Sequence, residues 1–231
     1  VFGKCIGKVE GKKRVESIGV CSVNGQGSIE DNIQCNAVAV SGGWVPNANL
    51  WSHCGGKLEW DKKNGFYKPD HNKSSIGHDG DSNMIAVGAC SGVFTNFEIQ
   101  DQVPRKVKQL LMGMKIKLKR SLEKNPFRKE QVKADTPVFI LPHGAGKDVE
   151  KRMFVDFQND VKVSDINLAA LEGYESIEHA KRYTTLGMAT DQGKTSNING
   201  INILSKYLGR SVEEIGHTTF RPPYKPIPLG V

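Results

Sequence analysis

Ala37-Val38-Ala39-Val40-Ser41-Gly42-Gly43-Trp44-Val45-Pro46-Asn47 reads as a buried strand running into a glycine turn. A continuous apolar run of this kind suits a parallel strand covered on both faces. The glycines behind it let backbone approach a ligand or another chain closely. Asn83-Met84-Ile85-Ala86-Val87-Gly88-Ala89-Cys90-Ser91-Gly92 reads as a second such strand entering a glycine-rich bend. Between the two, Lys62-Lys63-Asn64-Gly65 predicts a hairpin linking Gly55–Asp61 to Gly65–Tyr67, because Asn-Gly is a strong turn signal. Upstream, Val15 to Val23 is β-like and stops at Asn24-Gly25-Gln26-Gly27. Ser41, Gly42, Gly43, Gly88 and Ala89 are therefore candidate positions for close ligand approach; plain strand-end packing is the alternative.

The second half changes character. Val107, Leu110, Leu111, Met114 and Leu118 repeat at near-helical spacing among lysines, which predicts a basic helical stretch over 103–133. No aromatic residues interleave those lysines, as a single-strand nucleic-acid binder requires, so the stretch is read as a solvated helix face. Pro137 and Leu141-Pro142-His143-Gly144-Ala145-Gly146-Lys147 form a linker over 137–150. Beyond it come short helices: one capped by Ser164 and ending at Gly173, one begun by Ser176, one closed by Gly209, and one opened by the Ser211–Glu214 capping box. The prolines of 221–231 require an extended tail. The fold class expected is α/β plus α, with an α/β region over 1–136 and a small all-helical domain over 151–220.

The densest chemistry lies in Lys181-Arg182-Tyr183-Thr184-Thr185-Leu186-Gly187-Met188-Ala189-Thr190-Asp191-Gln192-Gly193-Lys194-Thr195-Ser196. Lys and Arg supply charge, while hydroxyls and glycine N–H groups supply directed donors, a mixture that suits an anion such as a phosphate. A helix-capped surface loop has the same composition. The net charge of +7 favours an anionic partner without naming it. Five scattered cysteines make neither a disulfide framework nor a zinc spacing, and are read as reduced thiols in a cytoplasmic protein. No apolar run approaches the roughly twenty residues a membrane span needs. GxGxxG, the Walker loop, HExxH and GxSxG are all absent; Gly193-Lys194-Thr195 misses the Walker ending because Gly187 lies one residue too far upstream. His53 with Cys54, or His71 with His78, could bind a metal, but scattered surface histidines are the reading preferred, with no metal site. The residues alone stop short of a reaction.

Phe154–Val161, Glu172–His179, the run from Lys181 to Asn197, and Thr218-Thr219-Phe220-Arg221-Pro222-Pro223-Tyr224 resemble the alpha subunit of heterotetrameric sarcosine oxidase. Val40–Asn47 and Ile85–Ala89 resemble motifs of two-dinucleotide-binding flavoprotein domains. The resemblance implies oxidative demethylation of sarcosine to glycine with hydrogen peroxide, the one-carbon unit passing to tetrahydrofolate. It implies beta, gamma and delta partner subunits, with the substrate site on beta. It implies FMN enclosed at the beta boundary, for which Lys181, Arg182, Thr184, Thr185, Gln192, Lys194 and Thr195 are the candidates. It also implies an incomplete NAD site at Ser41, Gly42, Gly43, Gly88 and Ala89; Gly88-Ala89 lacks the Asp that many FAD domains place there.

The chain opens at Val1 and closes after a proline-rich stretch, and is expected to be part of something longer, inactive on its own, with the glycine fingerprint and folate domain of that family outside it. Its helical domain resembles a [2Fe-2S]-binding module in which Asp156, Gln158, Asp191 and Ser196 stand at the ligand positions. None is Cys, so no cluster is expected. A non-catalytic assembly subunit, or a subunit of a related secondary-amine or amino-acid oxidase or dehydrogenase, are the alternatives. Neither nucleic acid nor membrane is an expected partner.

Overall fold

The computed structural model describes residues 3–74, 84–117, 124–130, 137–143, 147–222, 225 and 227–230. The chain forms two compact units that interleave in sequence: 1–43, 135–218 and 225–231 make the first, 44–134 and 219–224 the second.

The first unit opens with an antiparallel meander of β1 (Lys4–Glu10), β2 (Ser17–Ser22) and β3 (Ile29–Gln34), in that order. The central strand β2 turns Val20 and Cys21 inward, while β3 is exposed along its whole length. The β-like run ending at Asn24–Gly27 is therefore a strand, and Gly25 N–H donates to the carbonyl of Ser22 across the turn.

Ala37–Asn47 does not form the buried parallel strand that its apolar run suggests. It is coil, with Val40 82% and Trp44 80% exposed. A strand needs a ladder partner as well as apolar side chains, and none among the described residues pairs with this segment. Pro46 would also withhold a ladder donor.

The second unit carries α1 (Asn49–His53), the hairpin of β4 (Leu58–Asp61) and β5 (Phe66–Pro69), and α2 (Asn96–Gly113). The hairpin forms where Asn64-Gly65 marks it. Asp61 accepts the N–H groups of Lys63 and Asn64 and thereby builds the turn. Trp51, Ala48 and Ala86 make a small core, with Leu58 and Met84 against it. Met84–Val87 is not a strand either: it is coil leading into a 3₁₀ turn over Gly88–Ser91. Asn83 lies outside the described residues. The basic helix runs over Asn96–Gly113 rather than 103–133: it starts earlier than the lysine pattern suggests, behind a Thr95 N-cap that accepts from Glu98 N–H, and it ends at Gly113, with 114–117 and 124–130 outside any helix. Pro104 sits inside it.

The chain then returns to the first unit. α3 (Lys147–Glu150) and a small hairpin of β6 (Phe154–Asp156) and β7 (Val161–Lys162) precede four helices: α4 (Val163–Leu171), α5 (Ile177–Thr184), α6 (Asn197–Leu208) and α7 (Val212–Ile215). α4 packs on α5 and α6. Ile166, Ile177, Leu186, Ile203 and Leu204 lose essentially all solvent contact, each worth roughly 1.5–3 kcal/mol of burial. The helix signals hold here. Ser176 caps α5, Gly209 ends α6 with φ 62°, and Ser211 and Glu214 form a capping box. Ser164 is the exception: α4 begins at Val163, and Asp165 accepts from the Lys162 N–H instead. The architecture is mixed α/β, with small antiparallel sheets and helices among the described residues.

Candidate functional site

Thr185 to Ser196 connects α5 to α6 and contains most of the basic, hydroxyl-rich stretch. The segment bends sharply: Thr185, Gly187, Gln192 and Gly193 have φ of 63°, 64°, 54° and 70°. Only glycine fits at 187, since a Cβ there would stand 2.1 Å from Asn197 Oδ1 and 2.9 Å from Gly193 Cα. The Asn197 amide fills the pinch between the two glycines and donates to Thr218 Oγ1 at 3.0 Å.

A buried carboxylate holds this loop. Asp156, 2% exposed at the end of β6, accepts the N–H of Gln158 at 2.9 Å and of Asn159 at 3.1 Å through Oδ1. Its Oδ2 accepts the Gly187 N–H at 2.7 Å. Burying a charge is costly unless hydrogen bonds replace water, and three charge-assisted bonds do so here. The tie continues outward. Gln158 Oε1 accepts the Thr190 hydroxyl at 3.1 Å and the Asp191 N–H at 3.2 Å. Asp191 in turn accepts the Gly193 N–H at 3.2 Å and the Thr195 hydroxyl at 3.0 Å. Asn159 Nδ2 donates to the Thr185 carbonyl at 2.9 Å. Asp156 was not among the anion-site candidates; its signal was a short Asp-x-Gln-Asn turn facing a glycine loop far along the chain.

The candidate anion-binding residues gather on this loop and on the last turn of α5, but their donors are committed. The Thr184 hydroxyl donates to the Ala180 carbonyl, Gln192 Nε2 to the Ala189 carbonyl, and Lys194 Nζ to the Asp191 carbonyl. Arg182 pairs with Glu178 at 3.1 Å. Lys181 is half-buried on α5, and Thr185, Lys194 and Thr195 are exposed. Within the loop the Gly187 and Gly193 N–H groups and the Thr195 hydroxyl already serve the carboxylates of Asp156 and Asp191. What the loop offers an anion is its outer face, where Arg182 and Lys194 are exposed.

The positions matched to cluster ligands also converge, but as hydrogen-bonding groups. Asp156 and Gln158 tie the loop that contains Asp191, and Ser196 is fully buried at the start of α6 with no hydrogen-bond partner for its hydroxyl among the described residues. Carboxylate, amide and hydroxyl oxygens do not suit iron–sulfur ligation. Among the described residues no group of three or more His, Cys, Asp or Glu is placed to hold a metal ion. Ser41, Gly42 and Gly43 lie in coil of the first unit, whereas Gly88 and Ala89 belong to the 3₁₀ turn of the second. Gly88 N–H is bonded to Gln102 Oε1 at 2.8 Å. The strands that were to carry these two groups do not form. A groove of about 450 Å³ lies elsewhere, walled by Glu150, Lys151, Lys162, Ser164, Asp165, Asn167, Leu168 and Leu171, and contains none of the candidate residues.

Comparison with known proteins places these features. Residues 150–231 match the sarcosine oxidase A3 domain. The sarcosine oxidase subunit alpha of Rhizobium meliloti (strain 1021) is 36% identical over 221 residues, 95% of this chain and 21% of that protein. The chain is homologous to sarcosine oxidase alpha subunits. Those of Corynebacterium sp. strains P-1 and U-96 are 33% and 32% identical over 84% of this chain and 19% of their own lengths. The chain thus spans about a fifth of the length of these curated relatives. They are subunits of an oxidoreductase, and the designation alpha implies further subunits beside them. The crystal structure of L-proline dehydrogenase from P. horikoshii shares the fold, with a TM-score of 0.60 at 20% identity over 96% of this chain and 43% of that one. Among the described residues no helix is long and apolar enough to cross a membrane.

Proposed function

We propose that this chain is the part of a multi-subunit, flavin-dependent sarcosine oxidase alpha subunit that presents the Lys181–Thr195 loop to a flavin-bearing partner. The observation that carries the reading is 36% identity to a sarcosine oxidase alpha subunit across 95% of the chain. The reaction is oxidative demethylation of sarcosine to glycine with release of hydrogen peroxide, and its substrate site belongs to the beta subunit. FMN supplies the electron-transfer chemistry. Asp156 and Asp191 hold the loop in one conformation, and Arg182 and Lys194 on its outer face would hold FMN, with Lys181, Thr184, Thr185, Gln192 and Thr195 shaping that face. Ser41, Gly42, Gly43, Gly88 and Ala89 lack the strand–turn frame that NAD requires, since 37–48 and 84–87 are coil.

The test is to assemble the complex with Lys194→Ala and Thr195→Ala together. FMN content and electron transfer both fall if the outer face meets the flavin. Unchanged values refute that role while leaving the homology intact. Supplying sarcosine and proline in parallel to the assembled complex separates the sarcosine reading from a related secondary-amine oxidoreductase.

A further inference from the structure

We propose that Cys5 and Cys21 form a redox-active pair, a cross-strand dithiol that hydrogen peroxide closes to a disulfide. The two residues face each other in the β1–β2 register, both are free thiols, and their sulfurs lie 3.5 Å apart. Their exposures differ in a way that assigns roles. Cys21 is fully buried, whereas Cys5 is half-buried at the sheet surface. Cys5 therefore meets the oxidant first.

Its sulfur takes one oxygen from the peroxide, giving a sulfenic acid and one water; the Cys21 thiol then displaces the hydroxyl as a second water and forms the S–S bond. Two thiols are oxidised and one peroxide is reduced. Gly7 leaves the room that the Cys21 sulfur occupies: a Cβ at that position would stand 2.9 Å from it. The register shift between Ile6 and Lys8 places Gly7 beside the pair. Burial first, and then the hydrogen bond to Cys21, push the Cys5 thiol up to about 11. Little thiolate is present near neutrality, so the pair stays reduced until peroxide is abundant. Lys4, next to Cys5, is paired with Glu30 at 3.0 Å. The proposal does not depend on the function argued above, since the peroxide is added.

The experiment uses the full chain with Cys35, Cys54 and Cys90 changed to Ser, which leaves the two thiols in question. After treatment with excess peroxide and denaturation, both thiols should be lost and the mass should fall by about 2 Da. Peptide mapping should join residues 5 and 21, and dithiothreitol should restore both thiols. The closed form should also melt higher, on the order of 5 °C, a gain that vanishes when Cys5→Ser is added. Two thiols surviving, oxygen adding to Cys5 without a cross-link, or a bond joining two copies of the chain would each overturn the proposal.

Discussion

The first unit depends on a few residues whose chemistry leaves little latitude. Replacing Asp156 by Ala strands the N–H groups of Gln158, Asn159 and Gly187. Of the three, only the Gly187 bond is fully buried, and a buried donor left unpaired costs about 1–3 kcal/mol, so urea denaturation should show a loss of roughly that size. Asp156→Asn keeps one acceptor but turns an amide donor toward an N–H, and should fall between. Gly187→Ala meets both a left-handed backbone and Asn197 Oδ1. It should cost more than Gly209→Ala, where φ is also positive but the space is open. Equal melting temperatures for the two variants would mean that Asn197 yields to the added methyl. None of these roles was legible from composition. Thr, Lys and Gln in the loop look like free donors for an anion, and only the fold reveals that Asp156, remote in sequence, has already claimed the backbone around them.

At the level of elements, what could be read was what local chemistry decides. Asn64-Gly65 sets the β4–β5 hairpin, Ser176 and Ser211 set helix starts, and Gly209 sets a helix end, each within a few residues. What failed needed a partner. The apolar runs at Ala37 and Met84 have strand composition, but pairing is a property of two segments, and neither finds a partner among the described residues. The lysine pattern places the start of α2 too late because the turns before Pro104 lack it, although Thr95 and Glu98 mark that start. The hairpin carries its own pH prediction. Burial pulls the Asp61 carboxyl upward, but bonds from Asn64 and Lys68 outweigh it and hold it below the ordinary carboxylate value. Burial likewise opposes Lys68, while Asp61 and Glu59 hold its ammonium above its usual value. The Asp61 contribution is therefore present above the unfolded value near 3.9 and fades as pH falls through the lower folded one. That of Lys68 is present below about 10.4 and fades as pH rises through the higher folded value. A carboxyl-carbon NMR titration should place the Asp61 midpoint below about 3.9, and Lys68→Met should move it upward.

The whole molecule has unequal halves. Most of the buried aliphatic core lies in the first unit, on α4 to α7 and the β6–β7 hairpin. Among the described residues the second unit buries little beyond Ala48, Trp51, Phe66, Pro69 and Ala86, and α2 has no fully buried residue. Because burial of apolar surface is the main favourable contribution to stability, the second unit should open first. The sequence supplies a convenient reporter, since Trp44, Trp51 and Trp60 all fall within the second unit. Trp44 is already exposed, so the change in fluorescence on unfolding comes from Trp51 and Trp60. Helical circular dichroism instead draws on α4 to α7 in the first unit as well as on α2. In urea, the fluorescence transition should come at lower denaturant than the final loss of helical signal, with α2 melting in the earlier step. Coincident transitions by the two probes would mean that the units unfold as one cooperative body, and that the thin core around Trp51 draws its stability from beyond its own contacts.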